Sequence, residues 1–557
     1  MSRETAQVQG SWNLDKSSSQ PLPVAVVPSL PDPIGGDSAA IPTSGAVSAF
    51  ANYPKWSLVR RFWRLYLTGI AVSLGGMYAG YCLSAVGNII ANQGFINQFG
   101  TILDPVTGAV SLDATKVSLW GGAAYIGQFA FQAVAPFTGD MFGRRVNLWL
   151  LTVSMTIAIV LEIVAKEWKV FFAAKIFSGV SCAFLAAGVV TYMSEIALPG
   201  FRGALLSAFS FSFALGQFFS AVGQQILVKT SPLEFRRAFY SEFVILGLWL
   251  LVLVTLPESP YWLSRKGKHD KARRALLRLI GNNVEGYNVE LEYSVIQQEV
   301  ENSMAFTASQ GSSDWAAMLK PVNMKRTLIA ALPFTYQNFV GTPLVFGYTT
   351  YFFQLAGLAD PFTGTVIIQV ILVIGIIGSF YLVERVGRRT LVLLGGAIMS
   401  VVCLAIGGLG FAPPSESSGA GLITLCSVWV FVYSLSLAPI GWITVVEVST
   451  PALRAKTASI ATVINISAGL LFTYTTPLML SPQAAGWGTH IGFFYGGTAA
   501  LYLIPCYFLL PETKGRTYAE IDELFARGIP PRKFRTTVTS YEQAVHVTEE
   551  KERAADA

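Results

Sequence analysis

Residues 139–145 read GDMFGRR, and 244 positions later residues 383–389 read VERVGRR. A second motif returns at a similar interval, since PESP at 257–260 is followed 254 positions later by PETK at 511–514. Each of these motifs stands at the end of a long apolar run. Polar signatures that recur in the same order at nearly one period predict a chain built from two related halves.

A pair of charged residues repeats between the same motifs. Glu195 and Arg202 are seven positions apart, as are Glu447 and Arg454, and the offset between the pairs is 252. A carboxylate at a helix end beside an arginine can lock neighbouring helices together on one side of a bundle. We therefore predict that these residues and those of the first motif form gating networks: Asp140, Arg144, Arg145, Glu195, Arg202, Glu384, Arg388, Arg389, Glu447 and Arg454. The alternative is that the charges only anchor helix ends to lipid headgroups.

The composition outside the motifs is that of a membrane protein. The 557 residues are 52% hydrophobic and only 13% charged, about half of the roughly 25% found in soluble domains. This balance excludes a disordered chain, a nucleic-acid binder and a typical soluble enzyme, and the net charge of +6 is modest. The five cysteines are expected to be small buried side chains, and the three histidines stand too far apart for a metal site. No metal and no cofactor is expected.

About 20 apolar residues cross the hydrocarbon core as a helix, and the chain has about twelve such runs. They lie near 62–85, 115–138, 147–165, 170–193, 203–227, 238–256, 327–355, 362–383, 390–412, 422–446, 456–480 and 490–510. The predicted fold is therefore an all-α polytopic membrane protein of 12 transmembrane helices in two pseudo-symmetric six-helix halves. Its predicted regions are a disordered tail (1–55), the first half (56–256), a central loop with short helices (257–326), the second half (327–510) and a C-terminal tail (511–557).

The basic residues predict the orientation. Lysine and arginine gather before the first run, after the second, fourth, eighth and tenth runs, and in the central loop. By the positive-inside rule, both termini and the central loop are expected to be cytoplasmic.

These motifs resemble those of the sugar porter family of the major facilitator superfamily. The resemblance covers roughly residues 60–525 and includes GDMFGRR, VERVGRR, YMSEIALPGFRG, PESPYWL and PETKGRTYAEIDELF. Within that family, QNFVGTPLVFGYTTYFFQLAGL at 337–358 looks like the fungal α-glucoside (maltose-type) permeases and other disaccharide permeases. The resemblance implies the major facilitator fold and alternating access to a central sugar site at the plasma membrane. It also implies a sugar as ligand, in many relatives a proton as co-substrate, a monomer in the lipid bilayer, and no nucleic-acid partner.

A sugar presents hydroxyl groups and apolar ring faces, which match amide and aromatic side chains. By the resemblance, the substrate-binding candidates are Gln217, Gln337, Asn338, Trp442 and Asn465, and Tyr348 and Tyr351 are gate candidates together with Phe352. The spacing of these last three predicts one helical face. The alternative is that such amides only bond neighbouring helices and that the rings only pack; we prefer this alternative for Gln128, Gln132 and Gln369.

The chain departs from the family at the position used for proton coupling. Proton-coupled relatives carry Gly-Tyr-Asp in the first span and an arginine in the fourth, whereas this chain has Gly80-Tyr81-Cys82 and Lys175. A thiol does not replace a carboxylate as a proton carrier at acidic pH. Lys175 is expected either to find another carboxylate, such as Glu162 or Glu242, or to line a wet cavity without a coupling role.

Three functions are compatible with these features to different degrees. The leading prediction is a sugar transporter with atypical or absent proton coupling. The alternative is a transporter-like sugar sensor (transceptor) with little or no flux, because signalling needs a conformational switch but no ion coupling. An enzyme is not expected, since no nucleophile, base and acid set stands out.

Overall fold

The structure is a computed structural model, and within 60–540 it describes all residues except 104–109, 198–201, 282–286, 310–317, 319, 414, 451–452 and 517. The predicted N-terminal tail, 1–55, lies outside the described residues, as does the end of the chain after residue 540.

The first half consists of six helical spans. A short helix, Gln93–Phe99, and an antiparallel pair of two-residue strands, Ile102–Leu103 and Val110–Ser111, connect the first span to the second. The spans are Trp63–Ile89, Ala114–Gln132 continued by Val134–Phe142, Arg144–Val164, Trp168–Ile196, Arg202–Thr230 and Arg236–Thr255.

The second half repeats this arrangement after a connecting region with three helices, Pro260–Arg265, His269–Ile280 and Val289–Ser309. Its spans are Pro321–Phe339 continued by Thr349–Leu355, Pro361–Val386, Arg388–Leu409, Glu416–Val448, Arg454–Leu480 and Ile491–Leu509.

Within the described residues, ten helices are long and apolar enough to cross a membrane. The second and seventh spans, each made of shorter helices, complete the set of twelve. The predicted all-α membrane fold is therefore confirmed.

Local sequence signals explain where several spans begin. Asp113 accepts a hydrogen bond from the backbone N–H of Thr115 at 2.9 Å and so caps the second span. Asp360 caps the eighth span in the same way through Thr363, directly before Pro361. A capping carboxylate satisfies N–H groups that have no partner in the helix, and proline fits the first helical position.

The seventh span differs from its prediction. The sequence predicted one run over 327–355, but the helix begins at Pro321, ends at Phe339, passes through a π-turn at Pro343–Gly347 and resumes at Thr349. Gly341 in the break has φ of 102°, and Pro343 lacks a backbone N–H donor, so the helix cannot run through. Tyr348 therefore precedes the helix that carries Tyr351 and Phe352, and the three do not share one continuous helical face.

The residues after the twelfth span are also more structured than a tail. A helix at Tyr518–Ala526 and a 3₁₀ turn at Pro531–Lys533 pack against the base of the second half. Arg326 of the seventh span forms an ion pair with Asp522 at 2.6 Å, with the arginine side chain 7% exposed. This segment is therefore anchored to the second half.

The bundle has two faces, named here by the chain ends. The terminal face is the side where the first span begins and the twelfth ends, and the opposite face is the other side. Across the boundary between the halves, the second span packs against the eleventh and the fifth against the eighth. Large apolar side chains cover the outside of the bundle, for example Leu251, Val244 and Leu501, which are 68–70% exposed. Such a surface is suited to lipid.

Candidate functional site

A cavity of about 430 Å³ lies between the two halves. Its lining residues come from the first, second, fourth and fifth spans of one half and from the corresponding seventh, eighth, tenth and eleventh spans of the other. Ligand sites in proteins usually have volumes of about 300–1,000 Å³. The cavity is therefore of a size that holds a small organic molecule and is bounded by both repeats.

Gln337 forms the wall of the cavity on the second half. Its Nε2 donates to the carbonyl oxygen of Leu437 at 3.2 Å, and its Oε1 accepts from the hydroxyl of Tyr433 at 2.9 Å. A Cβ atom at Gly441 would lie 2.6 Å from that Nε2, so a larger residue there would push the amide out of this position. These contacts fix the amide plane and leave one N–H and one lone pair for a ligand.

Asn338 and Asn465 form a pair beside this glutamine. The Asn338 Nδ2 donates to the Asn465 Oδ1 at 2.7 Å. Asn465 lines the cavity, whereas Asn338 is buried behind it. The structure thus places one predicted contact residue at the wall and the other in a supporting position.

Trp442 provides an aromatic surface in the same wall. Its ring lies against that of Phe334, with the centroids 4.5 Å apart and the planes tilted by 52°. Both residues line the cavity. Two adjacent rings present an apolar surface, which suits the CH face of a ring-shaped ligand.

The first half contributes Gln217, as predicted from the sequence, and the cavity has three further lining residues that sequence reasoning did not place there. Gln217 lines the cavity, and its amide has no hydrogen-bond partner in the described part of the chain. Tyr125 and Gln128 of the second span and Tyr433 of the tenth also line it. A signal for two of them was present, since Gly121, Tyr125 and Gln128 follow helical spacing on one face.

Gln132 and Gln369 were expected to bond neighbouring helices and not the ligand. Gln132 and Gln369 are 3% and 2% exposed and lie away from the cavity, unlike Gln128.

The two predicted gate tyrosines occupy different positions. Tyr348 lines the cavity, and its hydroxyl donates to the carbonyl oxygen of Thr473 in the eleventh span at 3.0 Å. Its hydroxyl also lies where a Cβ at Gly121 of the second span would be. Tyr351 is buried outside the cavity lining, and Phe352 packs beside Phe353.

Hydrogen bonds join the two halves at the opposite face. The hydroxyl of Thr350 donates to Asn88 Oδ1 at 2.7 Å. Gln225 Nε2 donates to the hydroxyl of Thr363 at 2.5 Å, and Gln483 Nε2 to the hydroxyl of Ser111 at 2.6 Å. Each of these bonds links one half to the other, so the bundle is closed on this side. The cavity extends from there toward the terminal face, as far as Val190 and Trp442.

At the terminal face, the first half contains a network around Arg144. Its guanidinium donates to Glu195 at 2.7 Å and to Asp140 at 2.9 Å. Its backbone N–H donates to the carboxylate of Glu258 at 2.9 Å, and Ser259 donates to Glu195 at 2.5 Å. Burial raises the pKa of Glu258, an effect that the backbone donors of Ser259, Arg145 and Arg144 oppose.

The second half repeats the contacts that this network makes with Glu195 and Glu258. Arg388 donates to Glu447 at 2.9 Å, its backbone N–H donates to Glu512 at 2.9 Å, and Thr513 donates to Glu447 at 2.5 Å. The backbone of Arg389 donates to the same Glu512 at 3.2 Å, as that of Arg145 does to Glu258 at 3.3 Å.

The glycine before each arginine is required by this geometry. Gly143 and Gly387 have φ of 112° and 104°. A Cβ atom on them would lie 2.4 Å from Glu258 and 2.6 Å from Glu512. The side chains of Arg202, Glu384 and Arg454, which were predicted to belong to these networks, lie outside the described residues.

At the altered coupling position, Lys175 forms an ion pair with Glu162, one of the two carboxylates that the sequence left open. The side chains are 1% and 3% exposed. Lys175 also lines the cavity, where it is the charged residue among the described lining. Cys82 of the first span is buried nearby, and the five cysteines are unpaired.

The site has the chemistry to hold a neutral, hydroxyl-rich molecule. Its amides and tyrosine hydroxyls both donate and accept hydrogen bonds, and its rings offer apolar faces. Among the described residues, no group of three or more His, Cys, Asp and Glu could hold a metal ion.

Comparison with known proteins gives one family match and several relatives of similar length. Residues 68–525 match the family model described as "Sugar (and other) transporter". The chain is 28% identical over 500 residues to a general alpha-glucoside permease of Saccharomyces cerevisiae, covering 88% of this chain and 78% of the relative. It is 27% identical over 505 residues to a low-affinity glucose transporter of the same organism, covering 86% and 85%.

Among solved structures, the chain is similar to the proton:xylose symporter XylE from E. coli. The TM-score is 0.65 at 21% identity, and the match covers 83% of this chain and 99% of the other. This likeness shows that the two proteins share the major facilitator fold.

Proposed function

The chain belongs to the sugar (and other) transporter family, and we propose that it carries a neutral sugar across the plasma membrane by exposing its central cavity to each side in turn. The family match and the curated relatives identify a transport protein and not an enzyme. The observation that carries the proposal is the cavity itself, which lies between the repeats and is lined by Gln217, Gln337, Asn465 and Trp442.

Amides suit this task better than charges. An amide can exchange its hydrogen bonds between water and a sugar hydroxyl at little net cost. An unpaired charge in the cavity would bind water strongly and resist its release. We propose that Gln217 and Gln337 bind hydroxyl groups from opposite halves, that Asn338 orients Asn465, and that Trp442 contacts a ring face of the sugar.

The mechanism of alternation follows from the two faces. In the present state the bonds at Asn88, Gln225 and Gln483 close the opposite face. To open it, these bonds must break while the halves approach at the terminal face. We propose that the networks of Arg144 and Arg388 hold the helix ends rigid during this rocking, so that each half moves as one body. In the same mechanism, Tyr348 acts as part of the gate at the opposite face, because it contacts both halves.

We propose that the terminal face is cytoplasmic, because the basic residues gather there. The opposite face would then be extracellular, and the present state would be open toward the cytoplasm. Sugar would enter when the opposite-face bonds break.

For the substrate, we propose an α-glucoside disaccharide, with a hexose as the alternative. The alpha-glucoside permease and the glucose transporter that resemble the chain suggest these two classes. Parallel measurements of glucose uptake and maltose uptake distinguish these two substrate classes.

We also propose that transport is coupled to protons. The route is atypical, since the carboxylate expected in the first span is replaced by Cys82. A proton that moves down 100 mV supplies about 2.3 kcal/mol, and one pH unit adds about 1.4 kcal/mol. Together they support roughly 500-fold accumulation of sugar, whereas an uncoupled carrier only equilibrates its substrate.

The test is uptake of radiolabelled maltose, sucrose and glucose by a host that lacks its own sugar carriers, with and without an uncoupler. Saturable uptake of one of these sugars is the expected result. Surface-delivered protein that binds a sugar but carries none would contradict the proposal and favour a sensor. Uptake that stops at equilibration and does not change with the uncoupler would support sugar transport and refute proton coupling.

A further inference from the structure

A group of ionisable side chains is buried in the first half and is not used in sugar binding. Lys175 and Glu162 form an ion pair in which both side chains are at most 3% exposed. Glu242 of the sixth span, 1% exposed, lies close enough for both of their charges to act on its carboxyl group. Among the described residues, no nitrogen or oxygen donor is hydrogen-bonded to either carboxyl oxygen of Glu242, and its one side-chain donor is the thiol of Cys82, which is a weak donor. A buried acid held only by a thiol requires an explanation.

The groups around Glu242 belong to several spans. The first span brings the Cys82 thiol and the Tyr78 and Tyr81 hydroxyls toward it. The third and fourth spans supply Glu162 and Lys175. The fifth span also packs against the sixth, but its charged residues, Arg202 and Lys229, stand at its two ends. The fixed charges that face Glu242 are therefore those of Glu162 and Lys175.

The charge balance of this group depends on one proton. Two carboxylates and one ammonium carry a net charge of −1, and binding of a single proton makes the group neutral. Because Glu162 already has its ammonium partner, the proton belongs on Glu242. An unneutralised charge is costly in a buried site. The group is therefore built to bind one proton and to release it only when water or a cation reaches it.

The position of the group connects it to the sugar cavity. Lys175 lies seven residues inside the fourth span and Glu242 six residues inside the sixth, which places both about 10 Å from the opposite face. Lys175 is also part of the cavity wall. A lysine side chain is long enough to turn between two carboxylates while its helix stays in place.

We propose that Glu242 binds and releases the transported proton, with Lys175 moving between Glu162 and Glu242 as the proton leaves and returns. In the release step the O–H bond of the Glu242 carboxylic acid breaks, the electron pair stays on the carboxylate, and the proton passes to water in the cavity. Lys175 then neutralises the new carboxylate. This inference rests on the proposed transport function and assigns its proton site to the sixth span.

The test uses the full-length protein in proteoliposomes with radiolabelled maltose, or with glucose if only glucose is carried, and an internal pH dye. The wild type is expected to accumulate sugar and to acidify the lumen when sugar enters. Glu242→Gln is expected to lose the acidification and to lower the accumulation ratio to one, while exchange of labelled for unlabelled sugar continues. Glu234→Gln, which replaces an exposed carboxylate, is the matched control and should behave as the wild type.

Accumulation and acidification by Glu242→Gln at the wild-type level would overturn the inference and leave the transport function standing. Equilibration by the wild type without acidification would also overturn it, again with transport intact. Absence of any sugar movement in the wild type would instead refute the proposed function. If Glu242→Gln does not fold, Glu242→Asp provides the test: the pH dependence of accumulation should shift, and an unchanged pH profile would overturn the inference.

Discussion

The two halves of the molecule are nearly identical at the terminal face and different inside the bundle. At the terminal face, the contacts of Arg144 with Glu195 and Glu258 recur as those of Arg388 with Glu447 and Glu512. Inside the bundle, the first half buries an ion pair and a third carboxyl group, whereas the second half has the amides of Gln337, Asn338 and Asn465.

This difference shows which parts of a duplicated transporter are constrained by symmetry. Both halves must rock about the same axis, so both need the same rigid network at their helix ends. Ligand binding and charge movement have no such requirement, and one half can specialise in each. In our proposal the second half mainly positions the sugar and the first half handles the proton.

The largest effect is expected from the buried ion pair. Lys175→Met leaves Glu162 without a partner and should lower the free energy of unfolding by about 3–5 kcal/mol, the cost of breaking a buried pair. The double variant Lys175→Met, Glu162→Gln should be clearly more stable than the single one, because no buried charge is left unpaired. The thermal midpoint of the purified protein measures this, with exposed Lys229→Met as the control. A double variant no more stable than the single would show that the pair is not coupled.

The symmetric networks should give equal effects in the two halves. Arg144→Ala and Arg388→Ala each remove hydrogen bonds to a carboxylate, worth about 1.5–3 kcal/mol, and should slow sugar uptake by about 10–100-fold. Arg265→Ala is the control, since its contact with Asp140 is long, at 3.4 Å, and exposed. If only one of the two network variants affects uptake, the two networks are alike in structure but differ in function. The proposed equivalence of the halves at the terminal face would then be wrong.

A smaller effect is expected from the supporting asparagine of the second half. Asn338→Ala frees Asn465 from a hydrogen bond of 2.7 Å, and the loss of one such bond should weaken sugar binding by about 2–10-fold. Gln224→Ala serves as the counterpart in the first half, because Gln224 is buried and donates to Ala85 without lining the cavity. Direct binding measurements on both variants should separate them. Equal loss of sugar affinity in Asn338→Ala and Gln224→Ala would mean that the second half is not specialised for sugar binding through its amides.

The smallest effect is expected from Tyr433→Phe. The change removes the hydrogen bond to Gln337 Oε1 but keeps the stacking on Trp429, whose ring plane is tilted by only 7°. Sugar affinity should fall by about twofold, because Gln337 keeps its bond to Leu437. Tyr336→Phe, which loses a hydroxyl bond to Ala499 outside the cavity, should leave affinity unchanged. An increase in affinity for Tyr433→Phe would indicate that Tyr433 competes with the sugar for the amide.

Much of the fold could be predicted from the sequence, because apolar runs of membrane length and repeated polar motifs are strong signals. The break in the seventh span was missed although Gly341 and Pro343 mark it, since hydropathy alone does not register a helix break. The helix at Tyr518–Ala526 was also missed, because its anchoring depends on Arg326 almost 200 positions away.

The cavity was harder to predict than the fold. Gln217, Gln337, Trp442 and Asn465 were found through a family resemblance, and all four line the cavity. Tyr125 and Tyr433 were not: Tyr125 shares a helical face with Gly121 and Gln128, but aromatic residues in membrane helices mostly pack, and nothing in the sequence around Tyr433 marks it as an exception. The partner of Lys175 was left open between Glu162 and Glu242 for a related reason: both lie on other spans, and only helix rotation decides which one is reached.

If a sugar binds between the halves on amides from both, removing one amide from each half must weaken its binding. Gln217→Ala combined with Gln337→Ala makes this change, and we expect at least about a tenfold loss of affinity for maltose, or for glucose if only glucose is carried. Gln132→Ala combined with Gln369→Ala is the matched control, because these two buried amides lie away from the cavity. Unchanged sugar affinity in a folded, surface-delivered Gln217→Ala, Gln337→Ala protein would show that the sugar does not bind on these amides.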